Sequence, residues 1–90
     1  MTEPSVHVHI SSAVVSVLPA YQAEIARVLS QMPGVEVFHQ AASKIVIVME
    51  ASESGVIGAR LAEIATLNGV LSANMVFEQA ASLAELGEQQ

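Results

Sequence analysis

The chain has no cysteine, no tryptophan and, among its nine acidic residues, no aspartate. Without cysteine there is no disulfide scaffold, no thiolate metal site and no cysteine nucleophile. Basic residues are almost as scarce: Arg27, Lys44 and Arg60 stand against nine glutamates, for a formal net charge of −6 over 90 residues. A nucleic-acid binder needs a cationic surface to displace counterions from phosphate, so that class is excluded. Stable association with an anionic membrane is excluded for the same reason. No apolar run approaches the ~20 residues of a transmembrane helix. Met1 to Ser5 lacks a basic segment ahead of an apolar core, so no secretory leader is expected and the expected location is the cytoplasm. The three histidines, His7, His9 and His39, are a thin catalytic inventory. The expectation is a protein that is not an enzyme and carries no cofactor.

What remains is apolar. Hydrophobic residues make up 52% and charged residues 13%, which separates the chain from disordered acidic sequences. Its length predicts one domain. Residues 6–18 are dense in β-branched side chains and read as a strand, with a break near Ser11-Ser12 left open. Pro19 opens a helix in which Tyr21, Ile25, Val28, Leu29 and Met32 recur at helical spacing. Pro33-Gly34 ends it. Residues 35–40 alternate as a short strand, Ala41-Ala42-Ser43 make a tight connection, and residues 44–51 form the clearest strand of the chain. Ser52 is the candidate N-cap of a second helix, with Glu53 placed to favour its N-terminus. Val56, Ile57, Leu61, Ile64, Ala65 and Leu67 form its apolar face, and Asn68-Gly69 ends it. Residues 70–79 read as the last strand. From Ala80 onward an Ala-, Glu- and Gln-rich tail follows, either a helical turn around Leu83 and Leu86 or disordered. The domain is therefore set at residues 1–79, with a core of about 6–79, and the tail at 80–90.

An internal repeat supports the order β-α-β-β-α-β. Met32-Pro33-Gly34-Val35 and Leu67-Asn68-Gly69-Val70 each close a helix and open a strand. Two βαβ units with right-handed crossovers give a four-stranded antiparallel sheet of order 4-1-3-2 with both helices on one face. This is the α+β ferredoxin-like sandwich, and it leaves one face of the sheet without helices.

Strand alternation assigns side chains to that open face. Ser12, Val14 and Ser16 from the first strand, Lys44, Val46, Val48 and Glu50 from the third, Glu36, Phe38 and Gln40 from the second, and Ser72, Asn74, Val76 and Glu78 from the fourth are predicted outward. Ala13, Val15, Val17, Val35, Val37, Ile45, Ile47, Met49, Leu71, Ala73, Met75 and Phe77 are predicted inward. The face then has an apolar centre of Val14, Val46, Val48, Val76 and Phe38 and an acidic rim of Glu36, Glu50 and Glu78. Such a patch marks a binding surface, to be covered by a partner, by the tail, or by a second copy in a weak homodimer.

Other chemistry is sparse. His7 and His9 share a strand face and could chelate a metal together, but no third ligand is in view. His39 has no sequence-identifiable acid or nucleophile partner for acid/base work. Gly55 and Gly58 lie within the second helix and read as a close-packing contact with the sheet. RNA binders of this fold stack bases on aromatics of the central strands, and here those strands carry Val and Ser. Metallochaperones of the fold need a cysteine pair after the first strand. Amino-acid-sensing (ACT-like) regulatory domains share the element order and remain the alternative, although their first strand-to-helix turn usually contains glycine and Val17-Leu18-Pro19 does not.

The succession Ile10-Ser11-Ser12-Ala13-Val14-Val15, Pro33-Gly34-Val35-Glu36-Val37, Val46-Ile47-Val48-Met49-Glu50, and Gly69-Val70-Leu71 followed by Val76-Phe77 resembles the NapD family over about residues 9–79. Each piece is common alone; their order and spacing carry the resemblance. NapD proteins are small cytoplasmic assembly chaperones of the periplasmic nitrate reductase. The resemblance implies binding of the twin-arginine signal peptide of the catalytic-subunit precursor, which is held back from export until its molybdenum cofactor is inserted. On the open face assigned by alternation, Ser12, Val14, Ser16, Phe38, Val46, Val48 and Val76 are then the expected peptide-binding residues, the valines and Phe38 taking its apolar part, and Glu36, Glu50 and Glu78 are placed to draw in its arginines. The sequence leaves open whether the peptide lies on the face as a helix or adds as a strand to the sheet edge.

Overall fold

A computed structural model describes residues 7–82. The chain order is β1 (His7–Val17), a 3-10 turn (Pro19–Tyr21), α1 (Gln22–Ser30), β2 (Val35–Gln40), β3 (Lys44–Ala51), α2 (Ser54–Ala65) and β4 (Val70–Ser82). The four strands form one antiparallel sheet in the order β2-β3-β1-β4, which is the expected 4-1-3-2 read from the other edge. Helices α1 and α2 pack on one side of it, giving the ferredoxin-like sandwich.

The core lies between that side and the helices. Ala13, Val15 and Val17 of β1 and Ile45, Ile47 and Met49 of β3 alternate into it, and each is at most 1% exposed. Ile25, Ala26 and Leu29 of α1 and Ile57 and Ile64 of α2 close it from above. Met32, Val37, Leu61, Leu67, Val70 and Ala73 pack around its margin. Val56 and Ala65, expected on the apolar face of α2, are exposed instead. Ser11 is the buried polar residue at the end of this layer. Its hydroxyl donates to the Met75 sulfur at 3.8 Å, a weak acceptor suited to an apolar setting.

The sequence repeat is also a structural one. Gly34 and Gly69 both adopt the left-handed backbone, with φ of 76° and 93°. The carbonyl of each extends a strand ladder by one step: Glu50 N–H donates to Gly34 beside the β2–β3 pairing and Leu18 N–H donates to Gly69 beside the β1–β4 pairing, both at 2.8 Å. A β-carbon at Gly34 would stand 2.5 Å from the Glu50 carbonyl oxygen, and one at Gly69 would meet Tyr21. The repeat thus encodes the two places where a helix returns to the sheet at close range.

Several sequence expectations change. No bulge interrupts β1 at Ser11-Ser12; its alternation runs unbroken and its pairing with β3 is regular from His9 to Ser16. The irregularity lies across from it, in β4. Helix α2 starts at Ser54 with Glu53 still extended and no side-chain cap, so Ser52 falls one residue outside the cap position. Gly55 and Gly58 face open space, with nothing within 4 Å of an added β-carbon, and make no packing contact. β4 continues to Ser82, past the expected end at residue 79. The rest of the tail, with Leu83 and Leu86, lies outside the described residues.

Candidate functional site

The uncovered side of the sheet is organised by pairing register, because residues directly opposite one another in an antiparallel sheet project to the same side. Four rows cross it. Lys44 of β3, Ser16 of β1 and Ser72 of β4 form the first. His39, Val46, Val14 and Asn74 form the second, and Glu36, Val48, Ser12 and Phe77 the third. The fourth contains Glu50 and Ile10. Val14, Val46, Val48, Ser12, Ser16 and Ile10 are half-buried, and neither α1 nor α2 packs over them.

Bulges on both edge strands re-aim the large apolar side chains. In β2 the register shifts between Val37 and His39, so that Phe38 and His39 together stand across from Val46. Phe38 is 74% exposed beside the valines. The shift also moves Gln40 out of its expected place. Gln40 pairs with Ile45, a core residue, and its side-chain carbonyl accepts a hydrogen bond from the Gln22 amide of α1 at 2.6 Å. It belongs to the helix side.

β4 shifts twice. Between Ser16 and Val17 the register leaves Leu71 with no residue opposite it, and Leu71 is 65% exposed rather than inward. Between Ser12 and Ala13 it leaves Val76 as the extra residue, and everything beyond changes sides. Phe77, expected in the core, pairs with outward Ser12 and is 55% exposed. Glu78, expected on the acidic rim, pairs with inward Ser11. The open face therefore gains Phe77 and His39 and loses Glu78 and Gln40. A signal for the bulges exists in the sequence: each falls where large apolar residues stand side by side in an edge strand, at Val37-Phe38, Val70-Leu71 and Met75-Val76-Phe77.

The two remaining rim glutamates converge. Glu36 and Glu50, with Gly34, Val35 and Val48, line a shallow cavity of about 230 Å³ at the β2–β3 corner. Among the described residues neither carboxylate is in an ion pair; the salt bridge that forms joins Arg60 and Glu63, at 3.2 Å along α2. The corner thus offers two exposed anionic acceptors against an apolar floor. At the opposite end of the face stands the exposed ammonium of Lys44. His9 pairs with Ala51 and Ala80, and no group of three metal-ligating side chains forms among the described residues. No helix among them is long and apolar enough to cross a membrane.

Comparisons with known proteins agree on one relationship. A family model described as NapD protein matches residues 8–82. The chain is 44% identical over 71 residues to the Chaperone NapD of Paracoccus pantotrophus; the match covers 79% of this chain and 63% of that relative's length. The solution structure of the E. coli Tat proofreading chaperone protein NapD superposes with a TM-score of 0.74 at 26% identity, covering 80% of this chain and 78% of that one. A transcriptional regulatory protein of the AsnC family from Pyrococcus furiosus shares the fold alone, with a TM-score of 0.61 at 20% identity, over 83% of this chain and 50% of that one.

Proposed function

Because the chain belongs to the NapD family, we propose that it is an assembly chaperone of a periplasmic nitrate reductase. In this reading it binds the twin-arginine signal peptide of the catalytic-subunit precursor in the cytoplasm. It delays export until the molybdenum cofactor is in place. It acts by binding and has no catalytic step of its own.

The observation that carries the reading is the open sheet face, apolar at its centre and acidic at one corner. A twin-arginine signal peptide joins two fixed guanidinium charges to an apolar stretch. Val14, Val46, Val48, Phe38, Val76 and Phe77 offer surface for the stretch. Glu36 and Glu50 offer carboxylate acceptors, whose geometry suits guanidinium. Ser12 and Ser16 add small hydroxyls along β1. The face itself is a better seat than the sheet edges. Both edge strands carry bulges, which interrupt the row of backbone groups that an added strand would need.

Val48→Asp tests this. Val48 lies at the centre of the face and points away from the core, so the domain should still fold. Titration calorimetry with the signal peptide should show affinity reduced at least tenfold, with the circular dichroism spectrum unchanged. Unaltered affinity in a folded Val48→Asp protein would rule the face out as the binding surface.

A further inference from the structure

The rows of the open face are ordered by charge along the strands. Glu50 stands in the last row, with Glu36 beside it at the β2 edge of the third; the valines and phenylalanines fill the second and third rows, and Lys44 stands in the first. From this order we infer that the face fixes the direction of the bound peptide: its arginine end sits in the Glu36–Glu50 corner and its C-terminal end leaves over Lys44. The inference rests on the peptide-binding reading above and adds a polarity to it.

Two independent charges of the peptide agree with that direction. The first is the arginine pair, which the acidic corner attracts and Lys44 repels. The second belongs to the backbone. A bound helix carries about half a positive charge at its N-terminus and half a negative charge at its C-terminus. With the arginine end in the acidic corner, the N-terminal dipole faces Glu36 and Glu50, and the C-terminal carbonyls face the Lys44 ammonium. Reversing the peptide sets both its arginines and its dipole against the face.

Length also selects the helix. Lys44 and Glu50 are six residues apart on β3, which spans about 20 Å at ~3.3 Å per residue. A helix covers that distance with about 13 residues at 1.5 Å each. That is enough for an arginine pair and an apolar stretch. An extended segment of the same span holds only about six residues, too few for both.

The test uses the full chain, ¹⁵N-labelled, and a synthetic peptide carrying an Arg-Arg pair ahead of an apolar stretch, with a nitroxide at one end or the other. The N-terminal label should broaden the amides of Gly34, Glu36 and Glu50 several-fold more than those of Ser16 and Lys44. The C-terminal label should invert that ratio, and Lys44→Glu should shrink the asymmetry while the protein stays folded. A reversed pattern, or equal broadening at both ends with either label, overturns the direction while leaving the peptide-binding reading intact. No binding in the calorimeter, or broadening centred on α1 and α2, overturns that reading and the direction with it.

Discussion

The two faces of the sheet are built from the same strands and nearly the same residue types, yet they have different fates. Toward the helices, β1 and β3 present Ala13, Val15, Val17, Ile45, Ile47 and Met49, all essentially inaccessible. Toward the open side the same strands present Val14, Val46 and Val48, left half-buried. The difference is not hydrophobicity but cover. Each aliphatic side chain fully buried under the helices contributes roughly 1.5–3 kcal/mol to folding. The valines on the other side leave part of that gain unrealised until something covers them. The covered face holds the fold together; in the proposed reading the open one holds surface in reserve for the peptide.

Substitutions on either side should separate these roles. Ile47→Ala, in the middle of the covered layer, should have the largest effect on stability. Removing its outer carbons from a closed core costs about 2–5 kcal/mol, measurable by urea denaturation, while the folded fraction should still bind peptide with near wild-type affinity. Phe77→Ser, one sheet face away, should do the reverse. Stability should move by about 0.5 kcal/mol or less, as at most exposed sites. Peptide affinity should fall about tenfold, or ~1.4 kcal/mol. A Phe77→Ser protein that loses stability and keeps affinity would return that ring to the core. The smallest effect belongs to the charges. Glu36→Gln combined with Glu50→Gln should slow association a few-fold and flatten its dependence on ionic strength, with little change in dissociation. Stopped-flow mixing at several salt concentrations reads both.

The division between the faces was largely legible in the sequence for the central strands. In β1 and β3 the register follows from simple alternation, because both strands are paired on both sides and their mutual ladder has no irregularity. The repeated helix-to-strand turn at Gly34 and Gly69 was legible too, since only glycine fits those backbone conformations and close approaches. The edge strands were not. A one-residue bulge inverts every side chain beyond it, and alternation alone places Phe77 and Glu78 on the wrong sides. Adjacent apolar residues mark the bulges in β2 and β4, but the same adjacency in β3 is regular, because a central strand of this sheet is apolar on both sides. Pairing register, not composition, separates the two cases. Helix α2 departs from its sequence pattern for a related reason. Its glycines looked like a packing seam, whereas Ile57, Leu61 and Ile64 make the contact and the glycines face outward.

The central claim is that the open face, and not the helical side, receives the peptide. Methyl groups report it most directly, since valines of known orientation lie on both sides of the same strands. Intermolecular nuclear Overhauser effects should connect the peptide's apolar side chains to the methyls of Val14, Val46 and Val48. They should be absent from Val15, Ile45 and Ile47 beneath the helices and from Val28 and Val56 on α1 and α2. Contacts to Val28 or Val56, with none to Val14, Val46 and Val48, would contradict the account.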